Sequence, residues 1–315
     1  MKRIILISML LVMGLQGFSQ QDPQYTLYMF NPLAVNPAYA GSREVLSAVL
    51  VHRSQWLGLD GAPETQAFAI NTPLRNKKMG LGLQIVNDKI GPKTTQNITG
   101  AYAYRLKLGN GKLALGLKAG IINYNFDWSK VEYQEEEDVI QTESQKGFLI
   151  PTVDFGIYYN TRTFYAGIAA EHLNQSSFDF AETQSTDTIQ NGNSSDGGGG
   201  SKKDINFIAT AGKAFTLNDN FVLKTSILGR YANGAGNVDV NISVLIKNKI
   251  LFGASVRANA VIVLTELNIS KKLRMGIGYD IETGGLSKST TGSFEIFIGY
   301  DVGLFKSKVV SPRYF

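Results

Sequence analysis

From Val45 onward the apolar residues recur at every second position, and no stretch beyond the first twenty residues is long and apolar enough for a membrane helix. Val238, Val240, Ile242, Val244 and Ile246 point one way, while Asp239, Asn241, Ser243 and Lys247 point the other, with Leu245 the exception. Met275, Ile277, Tyr279 and Ile281 alternate with Gly276, Gly278 and Asp280. A period of two puts alternate side chains on opposite faces of a strand, so the chain is expected to be all-β.

Fourteen such segments are legible, at about 45–57, 65–73, 79–88, 94–107, 112–126, 148–160, 163–172, 204–215, 221–232, 237–247, 250–257, 260–270, 273–282 and 292–303. Most have the length of about ten residues that a tilted strand needs to cross a bilayer, and their number is even. Alternate connections are short, such as Asn110-Gly111, Asn160 to Arg162, Asn248-Lys249 and Lys271-Lys272. The others include the two longest, Glu132 to Lys146 and Leu173 to Lys203, although Ala258-Asn259 is tight. Short turns at one end and longer loops at the other are the pattern of an outer-membrane barrel, with the short turns periplasmic. The expectation is a 14-stranded antiparallel transmembrane β-barrel over residues 45–305, followed by a tail at 306–315. A soluble sandwich or propeller would also alternate, but with a clear division into sheets.

The front of the chain agrees. Met1-Lys2-Arg3 is positive, Ile4 to Leu15 is uncharged and apolar, and Gly17-Phe18-Ser19 offers small residues before a cut. That is a secretory signal peptide over residues 1–19. The chain has no cysteine, which excludes a disulfide framework, a Cys-based zinc site and a thiol nucleophile. A net charge of +5 without a basic stripe gives no reason to expect nucleic acid as a partner.

Residues 20–44 are a different material. Asn31-Pro32 and Asn36-Pro37 stand among Tyr28, Phe30 and Tyr39. Proline fixes its own φ and drives the preceding residue out of the helical region, so this stretch is neither a long helix nor a central strand. It is too rich in aromatics for a solvated tail. Exposure to lipid is excluded, because the broken backbone would leave polar groups unpaired. It belongs either in the lumen or docked beneath the barrel, and Tyr28, Phe30, Asn31, Pro32, Asn36, Pro37 and Tyr39 are the candidate residues of a plug in the periplasmic mouth.

Chemistry is sparse. Of the two histidines, His52 is taken to lie on the polar face and His172 at a strand end, with Glu171 on the opposite face. Neither has a G-x-S-x-G or H-E-x-x-H setting, so no catalysis is expected. Gly80 and Gly276 belong to strands and mark places where neighbours pack closely. Glu135-Glu136-Glu137-Asp138 lacks the spacing of a calcium loop and reads as a solvated run; no metal or cofactor is expected. Gly197 to Ser201 has the look of an engineered linker or a natural loop tip, neutral for the fold. The inward set mixes acids (Asp154, Asp239, Glu266, Asp280, Glu295, Asp301) with bases (Lys118, Lys224, Arg230, Arg257, Arg274), as in a braced or plugged interior rather than a single-sign pore.

"QDPQYTLYMFNPLAVNPAYAGS" (Gln21 to Ser42), "RSQWLGLDGAP" (Arg53 to Pro63), "GLGLQIVNDKIGP" (Gly80 to Pro92) and "GSFEIFIGYDV" (Gly292 to Val302), with the final "SPRYF", resemble the PorP/SprF family of Bacteroidota outer-membrane proteins. Phe294 departs from the histidine that members commonly carry there. The resemblance implies an outer-membrane component of the type IX secretion system and gliding machinery. In it, SprF-like members partner large secreted adhesins, each client carrying a gliding-type C-terminal domain. It makes the expected partners a secreted client, other type IX secretion or gliding components, and membrane lipid. The alternative is a passive porin or solute channel; an outer-membrane hydrolase is a third reading. Client contact would fall on the outer loops, 57–64, 131–146, 174–203 and 283–291. There Trp56, Leu57, Gly61, Ala62 and Pro63 are the candidates, with Trp56 equally a membrane-interface aromatic.

Overall fold

The computed structural model describes residues 22–130, 147–178 and 201–304. The signal peptide, the acidic run at 135–138, most of the glycine run and the tail lie outside the described residues. The strands are β1 (Leu46–Ser54), β2 (Glu64–Pro73), β3 (Met79–Ile90), β4 (Lys93–Leu108), β5 (Gly111–Phe126), β6 (Phe148–Asn160), β7 (Phe164–Glu171), β8 (Ser177–Phe178), β9 (Ser201–Lys202), β10 (Asn206–Thr216), β11 (Phe221–Ala232), β12 (Ala235–Ile246), β13 (Ile250–Arg257), β14 (Ala260–Asn268), β15 (Leu273–Glu282) and β16 (Ser293–Val302). All but β8 and β9 form one closed barrel of fourteen antiparallel strands in sequence order, with β7 beside β10 and β16 closing on β1. The closing seam runs from Leu46 opposite Val302 to Ser54 opposite Phe294. β8 and β9 pair antiparallel as a separate two-stranded sheet.

Each of the fourteen expected segments meets one barrel strand. The first ends early, at Ser54, because Trp56 has φ of 48° and turns the chain out of the sheet. The seventh ends at Glu171 because His172 has φ of 58°. The amphipathic pattern is turned inside out relative to a soluble protein. Leu50, Ile242 and Phe252 on the outer face are more than half exposed, whereas inward Arg53, Asp280 and Glu295 are each 1% exposed. Such an apolar outer surface requires lipid, and a closed ring leaves no unpaired edge within it. No described helix is long and apolar enough to cross a membrane, and the strands do the crossing.

Two strand-level expectations change. His52 shares the outer face with Leu50, because Arg53 takes the inward position; it sits 4.0 Å from Glu64, not in the lumen. Glu171 and His172 both reach inward, because the left-handed backbone at His172 breaks the alternation.

Candidate functional site

The residues inside the barrel are those of the amino-terminal stretch. Its Asn-Pro pairs make it a string of single 3-10 turns: Tyr28–Phe30, Pro32–Ala34 and Pro37–Tyr39. Asn36 is extended, as the proline after it demands, and its side-chain oxygen accepts the Ala38 N–H at 2.9 Å, capping the third turn. No turn continues into a helix, so the segment's remaining polar groups must find partners on the wall.

They do so from one end of the lumen to the other. Near the short turns, Asn71 accepts the Gly41 N–H at 3.0 Å and the Arg105 guanidinium donates to the Gly41 carbonyl. Midway, the Asn36 amide donates to the carbonyls of Ile157 and Ile168, a facing pair on β6 and β7. Further on, the Glu295 carboxylate accepts the N–H groups of Thr26 and Leu27 at 2.7 and 3.1 Å. The Thr26 hydroxyl donates to Asp280, and Arg53 bridges Asp280 at 2.8 Å and Glu295 at 3.4 Å. At the long-loop end, Asp22 meets Lys203 and the His172 ring, the latter at 2.6 Å. Residues 22–42 therefore reach well past the short-turn mouth.

The apolar side chains lock the same path. Phe30 stacks on Phe297 with ring centres 4.6 Å apart, and Tyr39 meets Tyr158 edge-on at 5.6 Å. Tyr28 is buried, with its hydroxyl 3.0 Å from Ser226. Pro32 and Pro37 each open a turn, and the buried Asn31 amide nitrogen has no hydrogen-bond partner among the described residues. The seat is cut by glycine. A Cβ on Gly116 would fall 2.2 Å from the Ala38 nitrogen, and one on Gly156 would fall 2.2 Å from the Asn36 side chain. Gly80 and Gly278 likewise make room for Ala40 and Leu27, so the strand glycines meet the segment rather than only each other.

The inward acids and bases pair as braces: Lys118 with Asp154 at 2.9 Å and Glu171 at 3.6 Å, Arg257 with Asp239 at 2.5 Å, and Arg274 with Glu266 at 3.9 Å. At the rim, burial pushes the Asp22 carboxyl up, but Lys203 and His172 more than reverse this and hold it below the usual range. Burial pushes the His172 ring down, and its hydrogen bond to Asp22 more than restores it, so its pKa is raised. Lys203, just after the glycine run, thus has a structural part that its sequence setting concealed. The His172 ring also meets the Thr152 hydroxyl at 3.0 Å. That is the order of a hydrolytic relay, but Thr152 is 2% exposed and presents no face to a substrate. Beside these groups lies a cavity of about 120 Å³, lined by Tyr25, Asp88, Tyr124 and Arg230 among others.

The candidate contact residues lie elsewhere, on the long-loop rim. The Leu57 N–H donates to Gly292 and its carbonyl accepts from Thr291, while the Gly61 carbonyl accepts from Gly91. The Trp56 N–H donates to the Ser293 hydroxyl. Residues 55–63 are thereby tied to the β15–β16 loop on one side and the β3–β4 turn on the other. Trp56, Leu57 and Ala62 are partly exposed, Gly61 is exposed and Pro63 is buried.

A family model described as "Type IX secretion system membrane protein PorP/SprF" matches residues 17–300. The chain belongs to the PorP/SprF family. Among curated proteins, none matches it. Its barrel is similar to the CymD monoaromatic hydrocarbon channel, with a TM-score of 0.50 and 11% identity over 93% of this chain and 96% of that one. Two further structures score lower. The Ralstonia pickettii toluene transporter TbuX gives 0.47 at 11% identity, over 92% of this chain and 96% of that one. Omp33 of Acinetobacter baumannii gives 0.45 at 8% identity, over 82% of this chain and 99% of that one. At such identities the likeness to CymD concerns the fold alone. This PorP/SprF protein is an outer-membrane β-barrel.

Sequence reasoning picked out the Asn-Pro turns and most of the inward charges. It missed Arg53, Thr26, Asp22 and Arg105 as holding groups. Arg53 had a usable signal, since a lone arginine at an inward position between Val51 and Gln55 needs buried acids. Asp22 had none, because its partners lie far along the chain.

Proposed function

We propose that this PorP/SprF protein is a non-enzymatic outer-membrane partner of a secreted type IX client. It helps export that client or anchors it at the cell surface. The client is held through its C-terminal domain by the long-loop end, which faces outward. Residues 22–42 serve as a plug. The observation that carries this reading is the occupation of the lumen along its length by a segment pinned through buried polar groups. A passive porin needs a water-continuous path, and a segment held on inward-facing groups weighs against one. The tied platform at residues 55–63 supports the outer end as the contact face, since a preformed loop loses little entropy on binding.

The test is purification of the tagged protein from its native outer membrane in mild detergent, with mass spectrometry of what accompanies it. A large secreted protein retained through its C-terminal domain is the expected result. A barrel without a partner, together with steady conductance of the intact protein in planar bilayers, would overturn the proposal in favour of a channel. Conductance that appears only after deletion of residues 22–40 supports the plug.

A further inference from the structure

The outer face carries a second ordered feature, away from the lumen and the loop platform. Gln66 on β2, Asn87 on β3, Gln96 on β4 and Asn123 on β5 are directly opposite one another across successive strand pairs. Their carboxamides join in a lateral row. Asn87 donates to Gln66 at 3.2 Å, Gln96 to Asn87 at 3.5 Å and Asn123 to Gln96 at 3.4 Å, and Gln66 donates to Glu64 at 2.9 Å. All four point outward, on the same side as Ile85, Ile98 and Ile121, which are exposed.

The row has a definite place. On each strand it occupies the first polar outward position after the apolar run: Gln66 after Phe68, Asn87 after Ile85, Gln96 after Ile98 and Asn123 after Ile121. It therefore marks where the lipid-facing band ends, at the long-loop side. β4 and β5 have 16 residues each, beyond the roughly ten needed to cross the hydrocarbon, so their outer face continues past it. Such a surface, continuous with the lipid face, borders the headgroup layer.

The chemistry narrows what meets it. Each carboxamide both donates and accepts, and each spends only part of that capacity along the row. The carboxamides are neutral, and the nearest outward charges, Glu64 and Lys89, are of opposite sign. A phosphate would call for clustered cations. Sugar hydroxyls, which also donate and accept, match a neutral amide row. We propose that Gln66, Asn87, Gln96 and Asn123 form a docking strip for the sugar headgroup of an outer-leaflet glycolipid, whose acyl chains lie on the apolar strands below. This rests on the reading that the long-loop end faces outward.

The protein would be extracted from its native outer membrane in mild detergent, and the glycolipid and phospholipid retained per barrel counted by native mass spectrometry. The wild type is expected to retain glycolipid. The variant Q66A/N87A/Q96A/N123A is expected to retain about tenfold less, the loss of one to two net hydrogen bonds, with phospholipid unchanged. Heat-modifiable migration on a gel verifies that the variant is folded. Because the chain lacks cysteine, N87C with a thiol-linked photo-crosslinker gives a second reading in the otherwise intact protein. Crosslinking to glycolipid supports the strip. Equal glycolipid retention by the folded variant, or crosslinking to phospholipid alone, overturns it. Crosslinking to phospholipid alone, combined with an intact client complex, would reject the strip while leaving the function proposed above in place.

Discussion

Of the polar contacts that hold the amino-terminal segment, two clusters built on carboxylates differ in one respect: water reaches only one of them. The deep one joins Thr26 and Leu27 to Asp280, Glu295 and Arg53, all at or below 1% exposure. The rim one joins Asp22 to His172 and Lys203, and there the Asp22 side chain is 31% exposed. Both use a carboxylate between cations and hydrogen-bond donors. In the deep cluster both carboxylates share Arg53, Arg257 stands 4.0 Å from Asp280, and solvent cannot replace a lost partner, so the cluster fixes the segment's position. In the rim cluster water can replace a partner, and one member is a histidine whose charge changes with pH, so the hold is weaker and adjustable. The segment is accordingly anchored at Thr26 and Leu27 and fastened more loosely at Asp22.

The largest effect should come from breaking the deep cluster. Arg53→Ala leaves Asp280 and Glu295 buried without the cation they share and is expected to cost about 3–5 kcal/mol. Urea unfolding from lipid vesicles, followed by tryptophan fluorescence, measures it. The triple change Arg53→Met, Asp280→Asn, Glu295→Gln removes all the charge and should cost less than Arg53→Ala alone. If the triple variant proves the weaker protein, the account of the two carboxylates as held by their shared arginine is wrong.

Next comes the glycine seat, on the short-turn side of the deep cluster. Gly116→Ala forces a methyl to within 2.2 Å of the Ala38 backbone and should cost about 1–3 kcal/mol, the usual range for overpacking. Gly100→Ala, on the outer face of the neighbouring strand with nothing within 4 Å, is the control and should change stability by no more than about 0.5 kcal/mol. Similar losses at both positions would mean that the strand glycines matter for the backbone and not for the segment.

These positions also show what the sequence could reveal. The strands were legible because every second residue must face lipid, a rule that acts locally and repeats in each of them. The turns at Pro32 and Pro37 were legible for the same reason, since proline constrains its own neighbourhood. The seat was not. That Gly116 meets Ala38, and Asn36 meets Ile157 and Ile168, depends on pairings more than seventy residues apart, and a period of two carries no information on which glycine faces which turn. A histidine's polarity points His52 inward, while parity from Arg53 places it outside.

The rim cluster predicts a pH response with a definite sign. The pKa of His172 is raised above its ordinary 6.5, so its contribution is complete below 6.5 and is lost as pH rises through the raised value. That of Asp22 is lowered from 3.8, so its contribution is complete above 3.8 and is lost only as pH falls through the lowered value. The fastening is fullest between those two values and loosens on the alkaline side, where Lys203, with its raised pKa, still holds Asp22. Protection at residues 24–27, taken relative to the intrinsic exchange rate at each pH, should fall as pH rises above 6.5 by a factor worth at most ~1 kcal/mol, given the exposure of Asp22. In His172→Ala that extra dependence should vanish. Protection that is flat with pH in the wild type would remove the distinction between rim and depth.

The smallest effect on stability, and the clearest separation from both clusters, is expected at the loop platform. Trp56 touches neither holding site; its backbone is tied to Ser293, and its side chain is partly exposed beside the tied loop. Trp56→Ala should therefore shift unfolding by no more than about 0.5 kcal/mol, as surface changes do. If the platform is where a client docks, the same substitution removes an aromatic anchor. It should then lower client recovery in the pull-down by about tenfold or more, since anchors of this kind carry about 2 kcal/mol or more. Arg53→Ala would lower recovery only in proportion to the loss of folded barrel. A Trp56→Ala protein that recovers its client undiminished would leave Trp56 as a membrane-interface residue. It would move the contact face to other parts of the long-loop rim.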